Sequence, residues 1–414
     1  MPTPLLRPGV PRLPLAALAA VASLLCLAPG AAAPLPQWSQ VQPTLVVGGL
    51  DMPVDIEVAP DGAVWFIALK GTVHRYDPAT KATELVHEVP NVVTGGERGL
   101  VGFALAQDFA KNGTYYLYYT QRTADPTGGE NRLVRMQDGK ETLLVTVPGA
   151  KEHNGGRIVV APDGTLFVGT GENQLRDPAQ DSKSLLGKIL HLDRDGKAVA
   201  GNLDGLVYSK GHRNVYGLAR NPENGELWST ENSGWRRDEV NRIQAGGNYG
   251  YPECEGQGLN GVDTPCPTTK GYIFPLRTFY EDRTAAPTGA TFWRGQFLWA
   301  SLNEGSIHHL WQDAATGAYE DKIVLETGGM PILDLAVGPD DALYYSTTDN
   351  IHRVADWASE SGGAAVDATT TTAATTAGPQ TKGETSGKAA VAPLAVILAL
   401  ALLATARLRR TGQV

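Results

Sequence analysis

Cysteine is scarce: the 414-residue chain has three, at positions 26, 254 and 266. That excludes a disulfide-built scaffold and a cysteine-rich zinc protein. No Gly-rich dinucleotide fingerprint and no phosphate-loop signature occurs, which argues against nicotinamide and ATP chemistry. Charge is modest at 19%, and 44 acidic residues outnumber 35 basic ones for a net charge of -9. A nucleic-acid binder needs a basic face, so no nucleic-acid partner is expected. Sustained helical periodicity is also missing between residues 38 and 357. What is present is 48 glycines and 27 prolines in a chain that is 42% hydrophobic. Such a chain is too apolar for disorder and rich in the residues that tight turns use.

Long hydrophobic runs are confined to the two ends. Arg7 and Arg12 precede an apolar run from Leu15 to Leu27, and Ala31, Ala32 and Ala33 offer small residues for cleavage. Residues 1–33 therefore read as a signal peptide, with a retained membrane anchor as the alternative. Cys26 follows Leu25 rather than a small residue, so ordinary secretion is read in preference to a lipoprotein signal. Residues 389–406 are uncharged and barely long enough to span a bilayer. Arg407, Arg409 and Arg410 follow at once, which makes 407–414 a cytoplasmic tail. Between the globular part and this transmembrane segment, residues 358–388 are rich in Thr, Ser, Ala and Gly. Such a stretch cannot bury enough surface to offset its ordering entropy and reads as a flexible stalk, its threonines candidates for O-glycosylation. A tail removed by a sorting enzyme fits the same residues. Either way residues 34–357 are expected outside the cytoplasm, at the cell surface. There Cys254 and Cys266 are expected to form a disulfide, whose loop closure is worth roughly 3 kcal/mol; a metal site is the second reading.

Within 34–357 a short unit recurs. Pro60-Asp61-Gly62 leads into AVWFIAL, Asn112-Gly113 into TYYLYYT, Pro162-Asp163-Gly164 into TLFVGTG and Asn224-Gly225 into ELWSTEN. Arg294-Gly295 leads into QFLWASL, and Pro339-Asp340-Asp341 into ALYYSTT. Each is a tight turn followed by β-branched and aromatic residues, the signature of a hairpin. Six such units spaced about 50 residues apart predict an all-β, six-bladed β-propeller. A pair of β-sandwiches is the competing architecture. The longest spacing contains the Cys254 loop, read as an insertion on one face.

Propellers place ligands over the central channel, so the polar clusters between repeats are the places to search. Lys151-Glu152-His153-Asn154-Gly155-Gly156-Arg157 sets a histidine beside a carboxylate and before a glycine pair. That pattern suits a general base on a loop that approaches its neighbour closely, or else a structural histidine. In Gly211-His212-Arg213-Asn214 the arginine is a candidate anion or oxyanion holder, the alternative being a solvated turn. From Glu231 to Tyr249, carboxylates and glycine-rich backbone offer the oxygen ligands of a calcium site, or a solvated acidic turn. Glu97-Arg98-Gly99-Leu100-Val101-Gly102 says little alone.

In order, these segments resemble the soluble glucose dehydrogenase / sorbosone dehydrogenase family of quinoprotein propellers. The landmarks are ERGLVGFAL at 97–105, HNGGRIVVAPDGTLFVGTGE at 153–172, SLLGKILHLDRDG at 184–196, GHRNVYGLA at 211–219, DEVNRIQAGGNYGYP at 238–252 and APTGATFWRG at 286–295. The resemblance implies pyrroloquinoline quinone (PQQ) and calcium over the channel, and oxidation of an aldose at its anomeric carbon to the lactone. His153 matches the family's base, Glu152 the acidic neighbour that orients it, and Arg213 and Asn214 the residues flanking the reactive quinone carbonyls. Glu97 stands at a cofactor-facing position where some members carry Gln. Ser233 and Gly234 fall where backbone carbonyls hold the cofactor's calcium, and Glu239 and the Tyr249 carbonyl match a separate structural calcium site. A sugar substrate and an external electron acceptor follow as partners.

One departure stands out. The family clamps its tricarboxylate cofactor with a Lys in the fifth blade and two Arg in the sixth; here Asn303, Pro331 and Leu333 occupy those places. Unpaired carboxylates are costly to desolvate, so quinone binding is expected to suffer. Two other functions stay open: a non-enzymatic surface propeller binding glycan or protein, and a calcium-dependent hydrolase or lactonase.

Overall fold

Every one of the six turns joins the first and second strands of a four-stranded antiparallel sheet. The computed structural model describes residues 38–124, 129–234, 237–259, 264–279 and 284–355. Blade one is Pro53–Val58, Val64–Ala68, Thr72–Asp77 and Ala82–Glu88, and blade two is Leu100–Leu105, Tyr115–Gln121, Glu130–Gln137 and Lys140–Pro148. Blade three is Gly155–Val160, Leu166–Thr170, Lys188–Leu192 and Val207–Lys210; blade four is Val215–Arg220, Leu227–Glu231, Asp238–Ile243 and Arg277–Phe279. Blade five is Pro287–Trp293, Gln296–Ser301, Ser306–Gln312 and Tyr319–Glu326. Blade six is Ile332–Val337, Leu343–Thr347 and Asn350–Val354, completed on its outer edge by Thr44–Gly48 from the other end of the propeller. Six separate sheets closed in this way are a propeller and not a sandwich pair.

The turns are set by local chemistry. Asp61, Asn112 and Asp163 each accept the main-chain N–H two residues on, at 3.0 Å, and Asn224 does so at 2.9 Å. This side-chain mimicry of a backbone turn is why Asx residues mark the repeats. In the sixth repeat Asp341 takes the glycine position with φ 55°, and its carboxylate pairs with Arg294 of the fifth turn at 2.8 Å.

Burial follows from the stacking of blades. Val64–Ala68, Lys188–Leu192, Leu227–Glu231 and Leu343–Thr347 are buried at every position. A strand covered on both faces is buried at every position rather than at alternate ones, and polar side chains such as Ser229, Thr230 and Glu231 are buried with it. Outermost Ala82–Glu88 is largely exposed. The inner strands nearly touch: a Cβ on Gly102 would stand 2.0 Å from the Gly156 carbonyl oxygen, and one on Gly289 2.1 Å from Asp334 Oδ1. On the axis, buried Arg157 pairs with Asp55 at 2.5 Å and Asp334 at 3.2 Å. Those carboxylates also accept N–H groups of Phe103 and Ile56 from neighbouring inner strands, both at 2.9 Å. A channel of about 490 Å³, lined by Glu57, Arg157 and Arg220, runs from this plug toward the turns.

The insertion lies in blade four, between Asp238–Ile243 and Arg277–Phe279. It holds the short antiparallel pair Cys254–Glu255 and Gly258–Leu259 and the expected disulfide between Cys254 and Cys266. The segments expected to be a signal peptide (1–33), a stalk (358–388), a span (389–406) and a tail (407–414) lie outside the described residues. Among the described residues no helix is long and apolar enough to cross a membrane.

Candidate functional site

The site is built by the loops that enter three consecutive inner strands. Glu97 precedes Leu100–Leu105, His153 precedes Gly155–Val160, and Arg213 and Asn214 precede Val215–Arg220. All three loops open at the end of the ring opposite the hairpin turns. The glycine pair has the role its sequence suggested. A Cβ on Gly155 (φ 63°) would stand 2.7 Å from Thr170 Cα, so only glycine lets this loop lie against the neighbouring strand.

His153 itself holds a left-handed backbone, φ 59°, uncommon for a non-glycine residue and found at constrained sites. Its N–H donates to Glu97 Oε2 at 2.8 Å, and Asn214 Nδ2 donates to the same oxygen at 3.1 Å. Asn214 Oδ1 in turn accepts Gly155 N–H at 3.2 Å. Thus Glu97, His153 and Asn214 form one network. The ring is held from both sides. Nδ1 is 2.8 Å from both carboxylate oxygens of Glu172, and Nε2 is 3.2 Å from Arg213 Nη2. A guanidinium can only donate and a carboxylate only accept, so the proton sits on Nδ1 and the lone pair on Nε2. The His153 side chain is 12% exposed and Arg213 16%, whereas Glu172 is 2% exposed. The ring and the guanidinium thus keep some exposure, while the carboxylate behind the ring is shut inside.

That carboxylate was expected to be Glu152. Glu152 instead accepts from Gln174 Nε2 at 2.5 Å, and Glu172 is the acid in contact with the ring. Adjacency along the chain misleads here because the left-handed residue turns the ring away from its neighbour toward the end of the second strand. The one sequence signal for Glu172 is an acid closing the buried run TLFVGTGE.

Arg213 is fixed by Asn232, whose carbonyl accepts from Nη1 at 2.5 Å, and by Glu255, whose Oε1 is 3.4 Å from Nε. Gly234 presses against it; a Cβ there would stand 3.2 Å from Nη2. Ser233 and Gly234 turn their N–H groups onto Asp238 Oδ1 (2.8 Å) and Glu255 Oε1 (3.3 Å).

Glu239 and Tyr249 do come together. With Glu231, Glu255 and Arg213 they line a cavity of about 10 Å³, space for a single small occupant. Glu239 Oε2 accepts from Asn241 at 3.0 Å and Oε1 from the Gly256 N–H. Burial, reinforced by the Glu231 charge, pushes the Glu239 carboxyl up to about 8. Burial likewise raises Glu255, and takes Asp238 to about 6. Glu255 Oε2 and Asn232 Oδ1 are buried without a hydrogen-bond partner. This buried, oxygen-rich, under-neutralised pocket suits a hard cation. Among the described residues no three His, Cys, Asp or Glu side chains converge tightly enough to ligate one by themselves, so main-chain carbonyls would have to contribute.

For PQQ, the reactive edge of the quinone would meet the Arg213 guanidinium beside the His153 lone pair, whereas the Asn214 amide is buried and committed to Glu97 and Gly155. The other edge differs. Asn303 spends its amide on the Thr284 carbonyl at 2.7 Å, Leu333 is buried, and Pro331 precedes the sixth blade's inner strand. Arg157 is committed to the axial plug, and Arg237 donates to the Leu259 carbonyl at 3.0 Å. Lys151 remains on the surface.

Residues 50–355 match the profile of the family described as Glucose / Sorbosone dehydrogenase. The aldose sugar dehydrogenase YliI of Escherichia coli is 30% identical over 332 residues, covering 73% of this chain and 88% of the relative. Quinoprotein glucose dehydrogenase B of Acinetobacter calcoaceticus is 27% identical over 410 residues, covering 75% and 86%. Among solved structures, the PQQ-bound aldose sugar dehydrogenase of Streptomyces coelicolor superposes with a TM-score of 0.67 at 30% identity. It covers 77% of this chain and 99% of its own.

Proposed function

Because this chain belongs to the Glucose / Sorbosone dehydrogenase family, we propose that it is an exported quinoprotein, tethered at the cell surface by its C-terminal segment. It would oxidise the anomeric carbon of an aldose to the lactone and pass the electrons to an external acceptor. The observation that carries this reading is His153, partly exposed, with Nε2 beside Arg213 and Nδ1 locked on Glu172. PQQ, when bound, supplies the acceptor for the substrate's hydride. Arg213 would hold its reactive edge beside the network of Glu97, His153 and Asn214, with Ser233 and Gly234 beside the cofactor's calcium.

The chain's own residues do the proton chemistry. His153 Nε2 takes the proton of the anomeric hydroxyl, leaving that carbon free to release hydride. Glu172 keeps the Nδ1 proton in place and stabilises the imidazolium as it forms, the usual work of a carboxylate behind a catalytic histidine. Arg213 supplies a permanent positive charge beside the reacting atoms. A structural calcium at Glu239 and the Tyr249 carbonyl would neutralise the buried acids of the small cavity.

The test is an absorbance titration of the full-length protein with PQQ, with and without calcium, followed by a dye-linked sugar screen. Calcium-dependent binding with turnover is the expected result, weakened by the missing cations at Asn303, Pro331 and Leu333. No binding at high micromolar quinone ends the dehydrogenase reading. Asn303, Pro331 and Leu333 would then favour the second reading, a surface propeller that binds glycan or protein. Metal-dependent turnover without quinone would point to a hydrolase or lactonase.

A further inference from the structure

The blade-four insertion does more than cover the propeller. It is strapped to blade three: Arg176 donates to the Pro252 carbonyl at 3.0 Å, and Gln180 Nε2 donates to the Tyr251 carbonyl at 2.6 Å and Asn248 Oδ1 at 2.9 Å. From this anchored position two side chains reach the site. The Tyr251 hydroxyl, on a residue 6% exposed, donates to Glu172 Oε1 at 3.1 Å. Glu255, beside Cys254 in the disulfide-closed loop, places Oε1 3.4 Å from Arg213 Nε.

We infer that this insertion positions the site's base from both sides, Tyr251 acting through Glu172 on His153 Nδ1 and Glu255 acting through Arg213 on His153 Nε2. Each acts on His153 only through another side chain, so both are positioning residues. Glu172 receives three donors: the Tyr251 hydroxyl, the Gln174 N–H at 3.2 Å and His153 Nδ1. They fix the carboxylate with both oxygens equidistant from Nδ1. The Tyr251 donor also moderates the carboxylate, because each hydrogen bond accepted by Glu172 weakens the one it can offer the ring. Burial, and then the Glu172 charge, hold the Tyr251 phenol far above its usual range, so it stays a donor at any working pH. On the other arm, Glu255 sits between two strapped cysteines. The Cys254 N–H donates to the Gly250 carbonyl and the Cys266 N–H to the Gln257 carbonyl, both at 3.0 Å. Its carboxylate is thus delivered to Arg213 by the closed loop rather than by a blade.

The catalytic meaning of this inference rests on the proposed dehydrogenase reading; its geometry does not. The decisive experiment is proton NMR of the full-length protein without quinone, following the hydrogen-bonded Nδ1–H of His153, assigned by its loss in His153→Ala. In Tyr251→Phe that resonance should move downfield as Glu172 bonds the ring more strongly. In active protein the acidic limb of the pH–rate profile should rise by about one unit. In Glu255→Gln the Arg213 Nε–H resonance should move while melting stays cooperative. An Nδ1–H resonance in folded Tyr251→Phe identical to the parent's would overturn the first arm, and an unmoved Arg213 Nε–H resonance the second. If Tyr251→Phe does not fold, thiol opening of the disulfide in the parent reads the second arm by the same spectra. A changed spectrum with no sugar oxidation would sink the dehydrogenase reading while leaving the positioning role intact.

Discussion

His153 and His212 both place Nδ1 on a glutamate, at 2.8 Å from Glu172 and 2.6 Å from Glu231. Their other nitrogens differ. His212 Nε2 is 2.8 Å from Ser209 Oγ, its ring stacks on Tyr249 with centroids 4.6 Å apart, and none of it is exposed. His153 Nε2 meets only a donor, at the mouth of the site. A histidine–carboxylate pair is therefore a brace when both nitrogens are spent inside, while His153, whose second nitrogen meets Arg213, is left for the proposed role of base. His212 also explains its neighbour: it is anchored between Ser209 of blade three and Glu231 of blade four, and Arg213 projects from there into the site.

The sharpest way to break this comparison is His153→Ala. Dye-linked sugar oxidation should fall by about 10² to 10⁴-fold with little change in melting temperature. An unchanged rate would remove His153 from the mechanism. Next, Glu172→Gln should lower the rate by about 10²-fold, because an amide can donate to Nδ1 and so favour the wrong tautomer. Glu152→Gln, by contrast, should leave the rate near the parent's; steady-state kinetics on both variants would show if the two acids had been wrongly distinguished. His212→Ala should do the converse of His153→Ala. Glu231 keeps the Arg213 N–H and Asn241 Nδ2 as donors, so losing the buried ring and its hydrogen bond should cost about 1–3 kcal/mol of stability, read by denaturant unfolding, with the rate per folded molecule retained. Equal melting of the two histidine variants would contradict the distinction.

The smallest effect expected concerns Glu57, in the axial channel at the other end of the ring. Burial, then the Asp334 charge, pushes its carboxyl up to about 8 against an ordinary value of 4.5. Between those values the folded chain holds a proton that the unfolded chain has released, so the stability contributed by this group falls as pH rises from about 4.5 to 8. Glu57→Gln should flatten that part of the melting-temperature profile. Glu57 is only partly buried and lines the channel, so the change should be small. An identical slope in the variant would assign the pH dependence elsewhere.

Much of the architecture was legible in the chain because its turns are local events. Asp61, Asn112, Asp163 and Asn224 each bond a main-chain group two residues away, and the strand that follows each turn is the one the spacing places there. His153, Arg213, Asn214 and Glu97 were legible as separate clusters in family order. Their partners were not. Glu172 lies 19 residues from His153, Tyr251 lies 79 from Glu172, and Glu97 is 117 from Asn214. Nothing in the local pattern distinguishes Glu172 from Glu152, and the contact of Glu172 with the ring depends on a left-handed residue invisible to composition.

The sequence by itself determined the repeat, the turn chemistry, the β-rich second strands and the disulfide pair, all of which depend on residue type and short spacing. Only the tertiary structure decided which acid meets His153, that His212 is a brace, that Arg157 plugs the axis, and that an insertion in blade four reaches across to blade three. The physical reason is that ring closure brings the entry loops of successive blades to one mouth. Hydrogen bonds and charges act over a few ångströms of space, whatever the separation along the chain.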